Sequence, residues 1–171
     1  MRNLVYSLLI ASFTLVPAMA ETPANYTPVV ATPNADALFT SDDPQLHENK
    51  QVVYHILKDL LEANQWHLAD QYIADDYIQH NPNAANGLES LVYFFTDVLQ
   101  VEPSPIPEKL GTPVSEVMAE GDLVTVIYPR RVEGPNGSYT TAWFDTWRIE
   151  DGKATEHWDP ALLNEAPELS E

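Results

Sequence analysis

Two carboxylates, an imidazole and two indoles alternate along residues 142–159: Trp143, Asp145 and Trp147 before the Asp151-Gly152 dipeptide, then His157 and Asp159 after it. A carboxylate beside an imidazole can take a proton from one atom and return it to another. Indoles supply an apolar wall for such a pair, and burial and charge around it tune both groups. Aspartate is disfavoured in strands, so Asp145 between two tryptophans calls for a reason beyond strand formation. Earlier in the chain, Tyr77-Ile78-Gln79-His80-Asn81-Pro82 offers a second imidazole and further polar groups.

The first set works only if its members share a face. Aromatic and β-branched residues flank the Asp-Gly signal, which predicts a hairpin. A three-residue loop over Glu150, Asp151 and Gly152, with Gly152 left-handed as a bulge, is the favoured reading. It sets Ile149 opposite Lys153, Trp147 opposite Thr155 and Asp145 opposite His157. Trp143, Asp145, Trp147, His157 and Asp159 then line one face. A two-residue loop instead slips the pairing and moves His157 to the other face.

The elements that must carry these residues can be read in order. Ser41-Asp42-Asp43-Pro44 is a helix start, and Val53, Ile56, Leu57, Leu60 and Leu61 recur at helical spacing up to Ala63-Asn64. Residues 66–74 read as a short second helix broken by Asp75-Asp76. Residues 77–82 are extended and end at Asn81-Pro82, because the residue before proline avoids the helical region. Gly87 opens a third helix with Leu88, Leu91, Val92, Phe95 and Leu99 on one stripe, stopped by prolines at 103, 105 and 107. Sheet follows: a strand within 112–119, a turn at Glu120-Gly121-Asp122, the β-prone run 123–128, a loop at 134–137 and the hairpin. Helices first and strands after predict an α+β domain, with helices packed on one side of an antiparallel sheet. Val53, Ile56, Leu60, Leu91 and Phe95 are the expected core.

Composition narrows the function. The chain has 171 residues and a formal charge of −18. Arg2, an apolar run over 4–16 and Ala18-Met19-Ala20 read as a secretory signal peptide over 1–20. Its removal leaves 7 basic against 26 acidic residues. So acidic a surface repels phosphate backbones and anionic lipid, so neither nucleic acid nor a membrane is an expected partner. The chain has no cysteine, hence no disulfide and no thiol nucleophile. Residues 21–40 are expected to be a flexible linker, 41–160 the domain and 161–171 a loose acidic tail. The expected location is the periplasm or the extracellular medium.

Read together, Tyr-Ile-Gln-His-Asn-Pro at 77–82, Gly87, Glu120-Gly121-Asp122, Phe144-Asp145-Thr146-Trp147-Arg148, Asp151-Gly152-Lys153 and Glu156-His157-Trp158-Asp159 resemble the SnoaL-like branch of the nuclear-transport-factor-2-like superfamily. The resemblance covers roughly residues 45–160. It implies a cone-shaped, strongly curved antiparallel sheet around a pocket, closed behind by about three N-terminal helices. Family enzymes include polyketide cyclases that catalyse aldol condensation, and relatives that isomerise or hydrate, usually without metal or cofactor; some members only bind. By position, Asp145 matches the family aspartate of the Asp-x-x-Arg strand, His80 the early histidine, and His157 and Asp159 the closing segment. The 123–128 strand departs from the pattern, since close relatives often carry histidine near Ile127 or Pro129.

The functional expectation is a small, largely apolar carbonyl compound as ligand. Asp145 acts as general base and acid, His157 orients it, and His80 polarises the carbonyl. Trp143, Trp147, Asp159, Gln79 and Tyr77 complete the binding set. His157-x-Asp159 with His80 would give a metal two imidazoles and a carboxylate, but His-x-Asp is a frequent accident of sequence, and neither metal nor cofactor is expected. The alternative is a non-catalytic ligand-binding or dimerisation module on the same fold, with room for a homodimer through the sheet. The missing strand histidine favours this alternative, and the clustered Asp and His favour the enzyme.

Overall fold

A computed structural model describes residues 25–134 and 137–165. The signal-peptide segment 1–20 and the end of the tail lie outside the described residues. The first helix, α1 (Pro44–His55), is capped by Asp43, whose Oδ1 accepts the Gln45 and Leu46 amides, with Pro44 at the first helical position. It continues as a π-helical turn, Ile56–Glu62, and ends at Ala63 and the left-handed Asn64. The expected second helix is shorter than read. A 3-10 segment, Trp66–Gln71, gives way to strand β1 (Ile73–Gln79), so Asp75 and Asp76 lie on a strand and end no helix. The third helix, α2 (Leu88–Tyr93), also runs on as a π turn, Phe94–Val98.

Strands β2 (Glu116–Glu120), β3 (Leu123–Gly134), β4 (Gly137–Glu150) and β5 (Lys153–Trp158) follow. They form one open sheet in the order β1-β5-β4-β3-β2. The sheet is mixed: β1 runs parallel to β5, and all other neighbours are antiparallel. Parallel pairing of β1 follows from its place before α2 and the long return through β2–β4, which brings the chain back along it in the same direction.

Helices cover one face, called inner here. Val53, Ile56, Leu57, Leu60 and Leu91 from the helices meet Val124, Val126, Trp147, Ile149 and Ala154 from the sheet, all buried. Phe95 is half-buried and stacks on Trp66 at 3.9 Å between ring centroids. Among the described residues no helix is long and apolar enough to cross a membrane.

Residues 25–40 are not a free linker. Phe39 is fully buried, and Lys50 Nζ donates to the carbonyls of Leu38, Thr40 and Val117, clasping this segment to α1 and β2. Farther out, the Thr32 amide bonds the Val114 carbonyl, and Tyr26 bonds Thr140. A proline-rich composition without apolar period conceals one buried anchor and several backbone bonds.

Candidate active site

The site depends on the β4–β5 turn. It is a two-residue loop, Glu150 pairing Lys153, with Asp151 (φ 50°) and Gly152 (φ 76°) both left-handed. Such a turn matches the right-handed twist of the flanking strands, which is why it displaces the expected three-residue loop. A regular ladder beyond it would turn His157 outward. The register instead shifts between Ile149, which pairs Ala154, and Arg148, which pairs Glu156, leaving one extra residue in β5. That bulge turns His157 back inward, opposite Trp147. Compared with the expected pairing the strands have slid by two residues, so the face is kept. Asp145 and His157 are diagonal rather than direct neighbours, with Oδ1 and Nε2 3.5 Å apart.

The hydrogen bonds around His157 fix its proton. Gln79 pairs with His157 across β1–β5, and its Oε1 lies 2.8 Å from His157 Nδ1. The same oxygen accepts the Asn81 amide, so it is the carbonyl end of the side chain. An oxygen cannot donate, so Nδ1 carries the proton and Nε2 is the nitrogen turned towards Asp145. At 3.5 Å that contact is electrostatic rather than a formed hydrogen bond, and Nε2 is buried without a hydrogen-bond partner.

Asp145 Oδ1 accepts the indole N–H of Trp143 at 2.9 Å. Across β3, Val126 pairs with Asp145 and Tyr128 with Trp143, so Tyr128 also points inward. Its hydroxyl is buried and makes no hydrogen bond of regular geometry. Burial first, then the charge and nearness of the Asp145 carboxylate, push the Tyr128 pKa well up, which keeps the phenol protonated as a donor. Tyr77 is likewise buried and shifted up by burial; the Trp147 indole bonding its hydroxyl works in the opposite direction, while the charges of Asp145 and Asp159 add to the rise. Trp147 is 3 % exposed and packs on the His157 ring at 4.9 Å.

The remaining expected residues fall elsewhere. Asp159 points at His157 Nδ1 from 3.9 Å, but its oxygens already accept Asn81 Nδ2 and the Ala161 amide, so it ties two loops together. His80 is not in the site. It follows Gln79 on the alternating backbone and turns to the outer face, where its Nε2 lies 2.7 Å from Glu156 and its ring stacks on Trp158. Trp158 too lies on that outer face. The metal set weighed from the sequence is therefore not assembled. Asp145, His157 and Asp159 do bring ligand atoms within 4.8 Å of one another. The carboxylates approach opposite ring nitrogens, however, and one ion takes only one imidazole lone pair, so the trio does not converge on a single ion position.

Sequence reasoning missed Tyr128, although Val124, Val126 and Tyr128 alternate on one face and the phenol is the last inward residue before Pro129. It also missed Asn81 and Arg130. A shallow hollow of about 300 Å³ is lined by Asp75, Leu88 and Glu89, none of them part of the Asp145 cluster. It carries no acid–base pair, and the chemistry points to the inner face instead.

An open five-stranded sheet with helices packed on the face that also carries the polar cluster is consistent with the nuclear-transport-factor-2-like class. Within that class, the SnoaL-like domain profile matches residues 55–157, and the chain belongs to this family. Solved structures are similar to the chain. A candidate polyketide cyclase from Bacillus cereus is 16 % identical with a TM-score of 0.50, over 85 % of this chain and 89 % of that one. A candidate polyketide cyclase from Acidithiobacillus ferrooxidans is 13 % identical with a TM-score of 0.49, over 66 % and 86 %. No curated protein matches the chain.

Proposed function

We propose that this chain is an exported protein that binds a small, largely apolar carbonyl compound on the inner face of its sheet and moves a proton on it through Asp145 and His157. The supporting observation is the dyad itself: Nδ1 is committed to Gln79, and Nε2 stands unbonded beside Asp145. A ligand hydrogen next to a carbonyl, placed there, meets a carboxylate that can accept it and an imidazole that can stabilise or relay the charge. The Tyr128 hydroxyl is the donor for the developing oxyanion, the role first given to His80. Trp143, Trp147 and Tyr77 form the apolar and aromatic wall.

The test is hydrogen–deuterium exchange at carbon atoms next to the carbonyl in a panel of aromatic ketones, followed by NMR in heavy water. Exchange above buffer that is lost in Asp145→Asn supports the enzyme. Binding without exchange favours the alternative, a ligand-binding module. The exposed outer-face residues Ile78, Phe144 and Met118 favour pairing of two copies through the sheet within either reading. Export is tested by N-terminal sequencing after secretion, which should begin at Glu21.

A further inference from the structure

Next to the acid–base pair the inner face carries one more group whose chemistry points to a ligand. Arg130 pairs with Thr141 across β3–β4 and follows Val126 and Tyr128 on the inward positions. Its guanidinium lies over the Trp143 ring at 4.5 Å, and Trp143 is the residue that bonds Asp145. Arg130, Trp143, Asp145 and His157 thus form one continuous row. The guanidinium is bonded to Glu165, a residue of the C-terminal segment beyond β5.

That segment sits lightly. Glu165 accepts the Leu162 amide, Asn83 Nδ2 donates to the Leu162 carbonyl, and the Asn164 amide bonds Asn83 Oδ1. These are polar contacts near the surface. Leu162 and Leu163 are 72 % and 68 % exposed, so the segment buries little apolar surface and costs little to lift. Arg148 is bonded to side chains of the sheet and its turns, Glu156 and Asp122, while the Glu165 carboxylate on Arg130 comes from the C-terminal segment.

We propose that Arg130 is the anion anchor of the site: the ligand carries a carboxylate in addition to its carbonyl, and that carboxylate takes the place that Glu165 fills. This deepens the proposed function and rests on the inner face being the ligand site. The exchange of one carboxylate for another leaves the charge around Arg130 unchanged, so a guanidinium half shielded by Trp143 is at no point left unpaired. Its planar fork, held by the indole, suits two-point binding of a carboxylate better than a lysine would. The ligand class is an aromatic or alicyclic keto acid, with the acid group at the Trp143 end and the carbonyl near Tyr128.

The experiment uses the full chain and two probes, 4-oxo-4-phenylbutanoate and its methyl ester, with binding read from tryptophan fluorescence. The acid should bind about tenfold or more tightly than the ester, the worth of one hydrogen bond to a charged group. Arg130→Gln should erase that preference by weakening the acid alone. Glu165→Gln should strengthen the acid and leave the ester unchanged, and this tail substitution keeps the test open if Arg130→Gln fails to fold. Equal affinities in the parent, or a preference that survives Arg130→Gln, overturn the anchor. If both probes bind equally and Asp145→Asn still abolishes proton exchange, the anchor falls while the proposed function stands. Failure of both probes to bind overturns the keto-acid assignment, and the exchange panel then decides the acid–base reading separately.

Discussion

Strand β5 presents a carboxylate–imidazole pair on each of its faces, and the two pairs differ in what they leave undone. On the outer face, Glu156 receives His80 at 2.7 Å and Arg148 at 3.0 Å, Arg148 also holds Asp122, and Trp158 stacks on the His80 ring and under the Arg148 guanidinium. Each charge there has a partner and contact with solvent. On the inner face, His157 is 7 % exposed, its Nε2 is unbonded, and the Tyr128 hydroxyl beside Asp145 makes no hydrogen bond of regular geometry. Buried polar atoms without partners are costly, so native proteins keep few of them. The outer pair behaves as structure. The inner pair retains bonding capacity where a ligand oxygen or hydrogen would use it.

The strongest way to break this comparison is to exchange the fates of the two histidines. His157→Gln should reduce proton exchange on a bound ketone by about 10²–10⁴-fold, the range of general acid–base catalysis. His80→Gln should leave exchange unchanged, because His80 faces away from Asp145. Steady-state exchange rates for the two variants decide it. Equal losses would mean that the sheet's two faces are not chemically distinct.

A smaller effect is expected at Tyr128. Tyr128→Phe removes a buried hydroxyl that has no regular partner, so urea denaturation should show unchanged stability or a gain of up to about 1 kcal/mol. Exchange should nevertheless fall by about 10², as for loss of one oxyanion donor. A loss of stability without loss of exchange would make Tyr128 part of the frame, and the inner face would resemble the outer one.

The contrast between faces was partly legible in the sequence. The inward set Trp143, Asp145, Trp147, His157 and Asp159 followed from strand alternation, and the helix start at Asp43-Pro44 from capping chemistry. The pairing itself did not follow. Asp151 adopts a left-handed conformation that shortens the loop, and the compensating extra residue in β5 leaves no mark in residue type. His80 was drawn into the site by the family pattern, although alternation from Tyr77 through Gln79 already assigned it to the opposite face. Residues 25–40 read as linker because a single buried phenylalanine, Phe39, gives no periodicity. Arg130 and its partner Glu165 lie 35 positions apart, a distance over which sequence carries no pairing signal without a structure.

The smallest expected effect sharpens the outer half of the comparison. Glu156 has its pKa lowered from the ordinary 4.5, first by the hydrogen bond from His80 and then by that from Arg148. The unfolded chain therefore binds a proton at a higher pH than the folded one does. Stability from this group is fully present above about pH 4.5 and is lost as pH falls through the lower folded value. Glu156→Gln has no carboxylate to protonate and should lack that step. Melting temperatures of parent and variant, compared by circular dichroism between neutral and acid pH, should differ modestly at neutrality, because solvent screens so open a pair. The difference should close below pH 4.5, and the variant curve isolates Glu156 from the other acids, which titrate in both proteins. A gap that stays constant into acid would show that Glu156 is not held by charge at all. The outer cluster would then owe its order to the stacking of His80 and Arg148 on Trp158, and paired charge would no longer be what separates the two faces.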